Sequence, residues 1–108
     1  MPFDREEALA RVGGDPELLA EIAALFLKDL PRGLGELRQA VAARHADAVE
    51  RHAHALKGAV SNFGAHEATA AAQELEIQAR AGSIGSLTKL EHALDRLRPE
   101  LESLCRAD

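Results

Sequence analysis

At 108 residues the chain has room for one domain with a modest core and not for two, so residues 1–108 are read as a single domain. A net charge of -5, with no basic stripe interleaved with aromatics, opposes a phosphate backbone and excludes nucleic acid as a natural partner. Three Phe with no Trp or Tyr, and Ala and Leu recurring at helical rather than alternating spacing, leave little from which to build strands, so an all-α fold is expected.

The start, Met1-Pro2-Phe3-Asp4-Arg5, lacks a charged-then-apolar signal pattern, and no apolar run is long enough to span a bilayer, so a cytoplasmic protein without membrane insertion is expected. A single cysteine, Cys105, excludes an internal disulfide and fits a reducing compartment as a packing residue.

In chain order, Asp4 and Glu7 form a capping-box pattern that starts a short helix over residues 4–11, closed by Gly13-Gly14. Asp15-Pro16 opens a second helix. Its apolar stripe of Ile22, Leu25, Phe26, Leu30, Leu34, Leu37 and Val41 crosses Pro31 without a change of step, which predicts one long helix kinked near Pro31. Gly33 and Gly35 keep open a break at Leu30. Asp47 with Glu50 is a second capping box, opening a third helix that Gly64 closes. A fourth helix over 66–80 turns Ala68, Ala72, Leu75 and Ala79 inward and stops at Gly82. Ser86 then caps a last helix, with Leu87, Leu90, Leu94, Leu97, Leu101 and Leu104 on one face and a bend expected at Pro99. Four long amphipathic helices on short loops pack most simply as an antiparallel up-down four-helix bundle, with the short additional N-terminal helix as a lid on one end.

The third helix carries the chemistry. At about 100° per residue, and taking His54 as zero, Val49, Leu56, Val60 and Phe63 fall between roughly 180° and 240°. His54 therefore points to water, with Lys57, Gly58 and Ser61 on its own side: an ammonium, a bare stretch of backbone and a hydroxyl. A mid-helix glycine costs about 1 kcal/mol relative to alanine, so Gly58 either eases packing within the chain or lets another molecule's backbone come close. His52 falls near 160°, at the edge of the core stripe, and is read as a partly buried, hydrogen-bonded side chain; His45, His66 and His92 are read as surface or boundary residues.

Ala53-His54-Ala55-Leu56-Lys57-Gly58, followed by Asn62-Phe63-Gly64-Ala65 and Leu75-Glu76, resembles the signature of histidine-containing phosphotransfer (HPt) domains. The resemblance implies that His54 is the phosphoacceptor, phosphorylated and dephosphorylated by aspartates of response-regulator receiver domains, and that Lys57 and Gly58 accompany it. Counted from Gly64, Glu76 occupies the place of the acidic or amide side chain that such domains set against the imidazole. A carboxylate accepting the Nδ1 proton would fix the tautomer and leave Nε2 free to attack phosphorus. Gln73 and Arg80, one turn either side of Glu76, are placed to add a hydrogen bond and a charge, with Ser61 as a further supporting group.

The implied protein is a phosphorelay carrier. It has no nucleotide-binding glycine loop and no autonomous ATP-dependent kinase activity is expected. It needs no cofactor of its own, because the Mg2+ belongs with the receiver. Its partners are receiver domains and a hybrid sensor histidine kinase, and a monomer is the default. The docking surface is expected around His54 on the third helix and the facing part of the second, with Phe26 and Leu30 assigned to the core. Met1 and the self-contained helices favour a stand-alone protein. Two rival readings fit less well. A metal-binding bundle lacks paired Glu-x-x-His motifs, and Glu50 with His54 is one pair only. A chemically inert helical interaction module leaves the company of Lys57, Gly58, Gly64 and Glu76 around His54 without a reason.

Overall fold

The computed structural model describes residues 2–106. It contains α1 (Arg5–Arg11), α2 (Pro16–Ala42), α3 (Ala46–Ser61), α4 (His66–Arg80) and α5 (Thr88–Arg106), and no strand among the described residues. α2 packs on α3 and α5, α3 on α4, and α4 on α5, which places the four long helices around a square. Consecutive helices that touch and are joined by short links must run antiparallel, so the bundle is up-down. At 1.5 Å per residue the 27 residues of α2 measure about 40 Å, close to the 44 Å long axis of the molecule.

The core is aliphatic and small-chained. Leu19, Ala23, Leu30, Leu34 and Leu37 of α2 meet Val49, Ala53 and Val60 of α3, Ala68, Ala72, Leu75 and Ala79 of α4, and the leucine row of α5. Alanines on α3 and α4 let those two helices approach closely, and it is between them that the site lies. α2 runs unbroken through Pro31, so the two-helix alternative fails. Pro31 and Pro99 both lie on exposed faces, where water replaces the hydrogen bond each ring removes.

The structure departs from expectation at two places. Leu25 is 61% exposed: at 100° per residue it lies roughly 150° from the direction of Leu30, Leu34 and Leu37, and Leu19 and Ala23 take the inward places instead. The Asp47–Glu50 capping box does not form. Arg44 takes a left-handed backbone (φ 54°) and His45 N–H returns to the Ala40 carbonyl, so α2 ends in a tight reversal that delivers the chain to α3 at Ala46, one residue early. Asp47 is then left in the first turn, where its charge favours the helix N-terminus, and Glu50 turns to Arg80. His66 is exposed, as expected, and its Nε2 lies 2.9 Å from Glu7 Oε1, 59 residues away in the chain.

That contact helps to seat the lid. Asp4 caps α1 by accepting from Glu7 N–H at 3.0 Å, and its own N–H reaches the Phe63 and Gly64 carbonyls. Gly64 has φ 62°, and a Cβ there would meet Asp4 and Glu7 atoms at 3.0–3.2 Å. Gly64 therefore serves twice, closing α3 in a left-handed conformation and admitting the N-terminal segment against the α3–α4 turn.

Candidate functional site

His54 stands near the middle of α3, its side chain 68% exposed, because Ala53, Val49 and Val60 hold the opposite face in the core. Its neighbour across the helix pair is Glu76, in the interior of α4 and only 4% exposed, the one buried charged residue among those described. His54 Nδ1 lies 2.7 Å from Glu76 Oε2, Lys57 Nζ donates to Glu76 Oε1 at 2.6 Å, and an Arg80 guanidinium N–H donates to Oε2 at 3.2 Å. A buried carboxylate without partners would be costly, and this one is surrounded by donors from both helices.

Lys57 is the main reason that the Glu76 carboxyl is held below its ordinary value of 4.5; burial pushes the other way, and the His54 contact adds to the lowering. Glu76 is thus ionised and can only accept. The proton between it and the imidazole belongs to Nδ1, so in the neutral ring the lone pair is on Nε2, on the open side. Arg80 is held charged, its pKa raised by the Glu50 carboxylate that accepts from its Nε at 2.9 Å. His54, Glu76, Arg80 and Glu50, with Asp47 and Arg51, line a shallow depression of about 340 Å³.

Gly58 is exposed one turn along, and a Cβ built on it would meet nothing within 4 Å. No packing among the described residues requires a glycine there. Ser61 spends its hydroxyl on the Gly58 carbonyl at 2.8 Å, within its own helix. Gln73 is exposed and makes no hydrogen bond to His54 or Glu76 among the described residues. The structure therefore unites His54, Lys57, Glu76 and Arg80, keeps Gly58 and Ser61 alongside, and sets Gln73 apart.

His52 is half-buried as expected but has no hydrogen-bond partner among the described residues. It lines a groove of about 250 Å³ between α2 and α3 with Phe26, Leu30, Gly33, Leu56 and Ala59. Leu30 is core; Phe26 is half-buried, edge-on to Phe63 with ring centroids 5.4 Å apart, and also faces the groove. Glu50 had no place in the sequence reading of the site. The signal was there in two pairs four apart, Glu50 with His54 and Glu76 with Arg80, which put all four on facing sides of two adjacent helices. As for metal ligands, one cluster among the described residues brings three candidate ligand atoms within 4.8 Å, Asp4, Glu7 and His66. It belongs to the lid, not to the His54 site, and its groups are engaged in capping and pairing.

An antiparallel helical bundle in which an exposed imidazole is oriented from behind by a buried ionised carboxylate and open at its other nitrogen fits a class of proteins that carry a group on histidine. The sequence description that matches is that of the Hpt domain, over residues 21–106, and the chain belongs to that family, whose members perform histidine phosphotransfer in phosphorelay signalling with receiver domains and kinases. Comparison with curated proteins and with solved structures gives no match. No helix of the described residues is long and apolar enough to cross a membrane.

Proposed function

We propose that His54 accepts a phosphoryl group from a receiver-domain aspartyl phosphate and passes it to the aspartate of another receiver. The observation that carries the reading is the 2.7 Å contact between Nδ1 and an ionised, buried Glu76, which leaves Nε2 as the nucleophile. In the forward step the Nε2 lone pair attacks phosphorus, the bond from phosphorus to the aspartyl oxygen breaks, and the aspartate leaves as a carboxylate. Nδ1 keeps its proton, and the positive charge that develops on the ring is met by Glu76. The return step is the same displacement with a second aspartate as the nucleophile.

Transfer of this kind depends on in-line placement and on neutralising the equatorial oxygens. Lys57 is 27% exposed and one helical turn from His54, near enough to turn its ammonium from Glu76 to an arriving phosphoryl group. Of the three carboxylates lining the depression, Glu50 and Glu76 are paired with cations, which leaves Asp47 alone and too few oxygen ligands for Mg2+, so these are assigned to the receiver. Docking is assigned to the exposed side of α3 around His54, with Gly58 as the point of closest backbone approach and the α2–α3 groove as its apolar flank. The chain acts in the cytoplasm as a monomeric carrier between receivers, one of them part of a hybrid sensor kinase.

The test is incubation with a receiver carrying radiolabelled phosphate on its aspartate. Label should move to this chain, be acid-labile and base-stable, and be absent from His54→Gln. Equal labelling of His54→Gln would overturn the assignment of the acceptor.

A further inference from the structure

We infer that Glu50 is a positioning residue for phosphotransfer, acting on His54 through Arg80; the inference rests on the reading of His54 as the acceptor. Glu50 lies one turn before His54 on α3, and its Oε2 accepts from Arg80 Nε at 2.9 Å. The same guanidinium sends one N–H to Glu76 Oε2 at 3.2 Å, and that oxygen is the one His54 Nδ1 approaches at 2.7 Å. A carboxylate oxygen offers two lone pairs, so Oε2 is fully used by these two donors, while Oε1 serves Lys57.

The arrangement is a balance between donors. A guanidinium has five N–H groups in a planar fork and pairs most strongly with a carboxylate through two of them. Arg80 is four residues from Glu76 on the same helix and largely exposed, and among the described residues Glu50 is the one other carboxylate that holds its guanidinium. With its Nε held by Glu50, the guanidinium contributes a single longer bond, and the imidazole keeps the shorter one. Without Glu50 the fork turns onto Glu76, takes the lone pair that orients Nδ1–H, and the ring loses both its tautomer preference and its aim.

Glu50→Gln, Arg80→Gln and the double variant test this, with circular dichroism and melting to show that each still folds. Nitrogen NMR of the unphosphorylated imidazole should show the Nδ1-protonated tautomer in the wild type and a mixture in Glu50→Gln. The first-order transfer rate from a saturating phosphorylated receiver should fall on the order of tenfold in Glu50→Gln, with KM within about twofold. In the Arg80→Gln background, where no fork remains to be held, adding Glu50→Gln should change neither the NMR signals nor the rate by more than about twofold. Unchanged or faster transfer in Glu50→Gln, or equal slowing in both backgrounds, would overturn the role. Failure of the wild type to take label at His54 would instead sink the acceptor assignment, and the NMR comparison would still decide whether Glu50 reaches the imidazole through Arg80.

Discussion

Gly58 and Glu76 stand in opposite relations to stability. A glycine inside a helix, exposed and with open space where its Cβ would be, is a loss the fold does not require. Gly58→Ala should therefore stabilise the protein by about 0.5–1 kcal/mol, read as a higher melting temperature, and slow labelling by a phosphorylated receiver because the added methyl stands between two backbones. A variant that is more stable and equally fast would show that no partner comes close there. Glu76 is the opposite case, needed by fold and reaction alike. Glu76→Gln keeps the shape but removes the charge and turns one of the two acceptor oxygens into a donor, so that Lys57, Arg80 and the Nδ1 proton compete for one neutral carbonyl. A loss of about 1–2 kcal/mol in denaturant unfolding is expected, held down because Lys57 and Arg80 can turn to water. Labelling of His54 in that variant should slow at least tenfold. Of these residues, His54, Lys57 and Gly58 could be placed on one helical face by counting alone, since 3.6 residues per turn decides it. Glu76 came from the family resemblance, because no periodicity within one helix says which residue of the next helix stands opposite.

Between elements, the α3–α4 pair is tied by the ion cluster at its middle and by Gly64 at its end. The Glu76 carboxyl is held below its ordinary value of 4.5 in the folded protein, chiefly by Lys57 and further by His54, against the opposing effect of burial. A depressed folded-state value means that the stabilisation is complete above 4.5 and disappears as the pH falls below it through the folded value. The melting temperature of the wild type should accordingly drop more steeply below pH 4.5 than that of Glu76→Gln, and parallel curves would rule out this contribution. At the other tie, Gly64→Ala meets both a left-handed backbone and the crowding of Asp4 and Glu7. It should cost about 1–3 kcal/mol, loosen α1 as seen by faster amide exchange over residues 4–11, and leave phosphotransfer nearly unchanged because His54 is on another part of α3. The existence and order of all five helices were legible from stripes, caps and glycines. The start of α3 was not: Asp47 and Glu50 looked like a cap, but the left-handed Arg44 ended the preceding turn early and freed Glu50 for a partner on another helix.

Across the whole molecule, a core built of leucine and alanine is shared by all four long helices, so a hole anywhere in it should be felt everywhere. Leu37 is fully buried near the C-terminal part of α2, and Leu37→Ala should cost about 2–5 kcal/mol in a single cooperative transition. A transition that splits in two would show that α2 and α5 can separate from the α3–α4 pair. Because the site spans α3 and α4 and its groove reaches α2, global unfolding and loss of labelling should coincide.

What the residue order determined alone is what one helix at a time can express: which segments are helical, which face of each is apolar, and that a histidine stands on the polar face beside a lysine and a glycine. That information is local, because backbone hydrogen bonding and the 3.6-residue turn relate only near neighbours. Tertiary structure decided the relations between faces. It buried Glu76 and ionised it beneath His54, committed Lys57 to that carboxylate, left Gln73 outside, and joined Glu50 to Arg80 across 30 residues. Those outcomes depend on the register of one helix against the next, which is set by how whole side chains interlock in the core and by where the turns end.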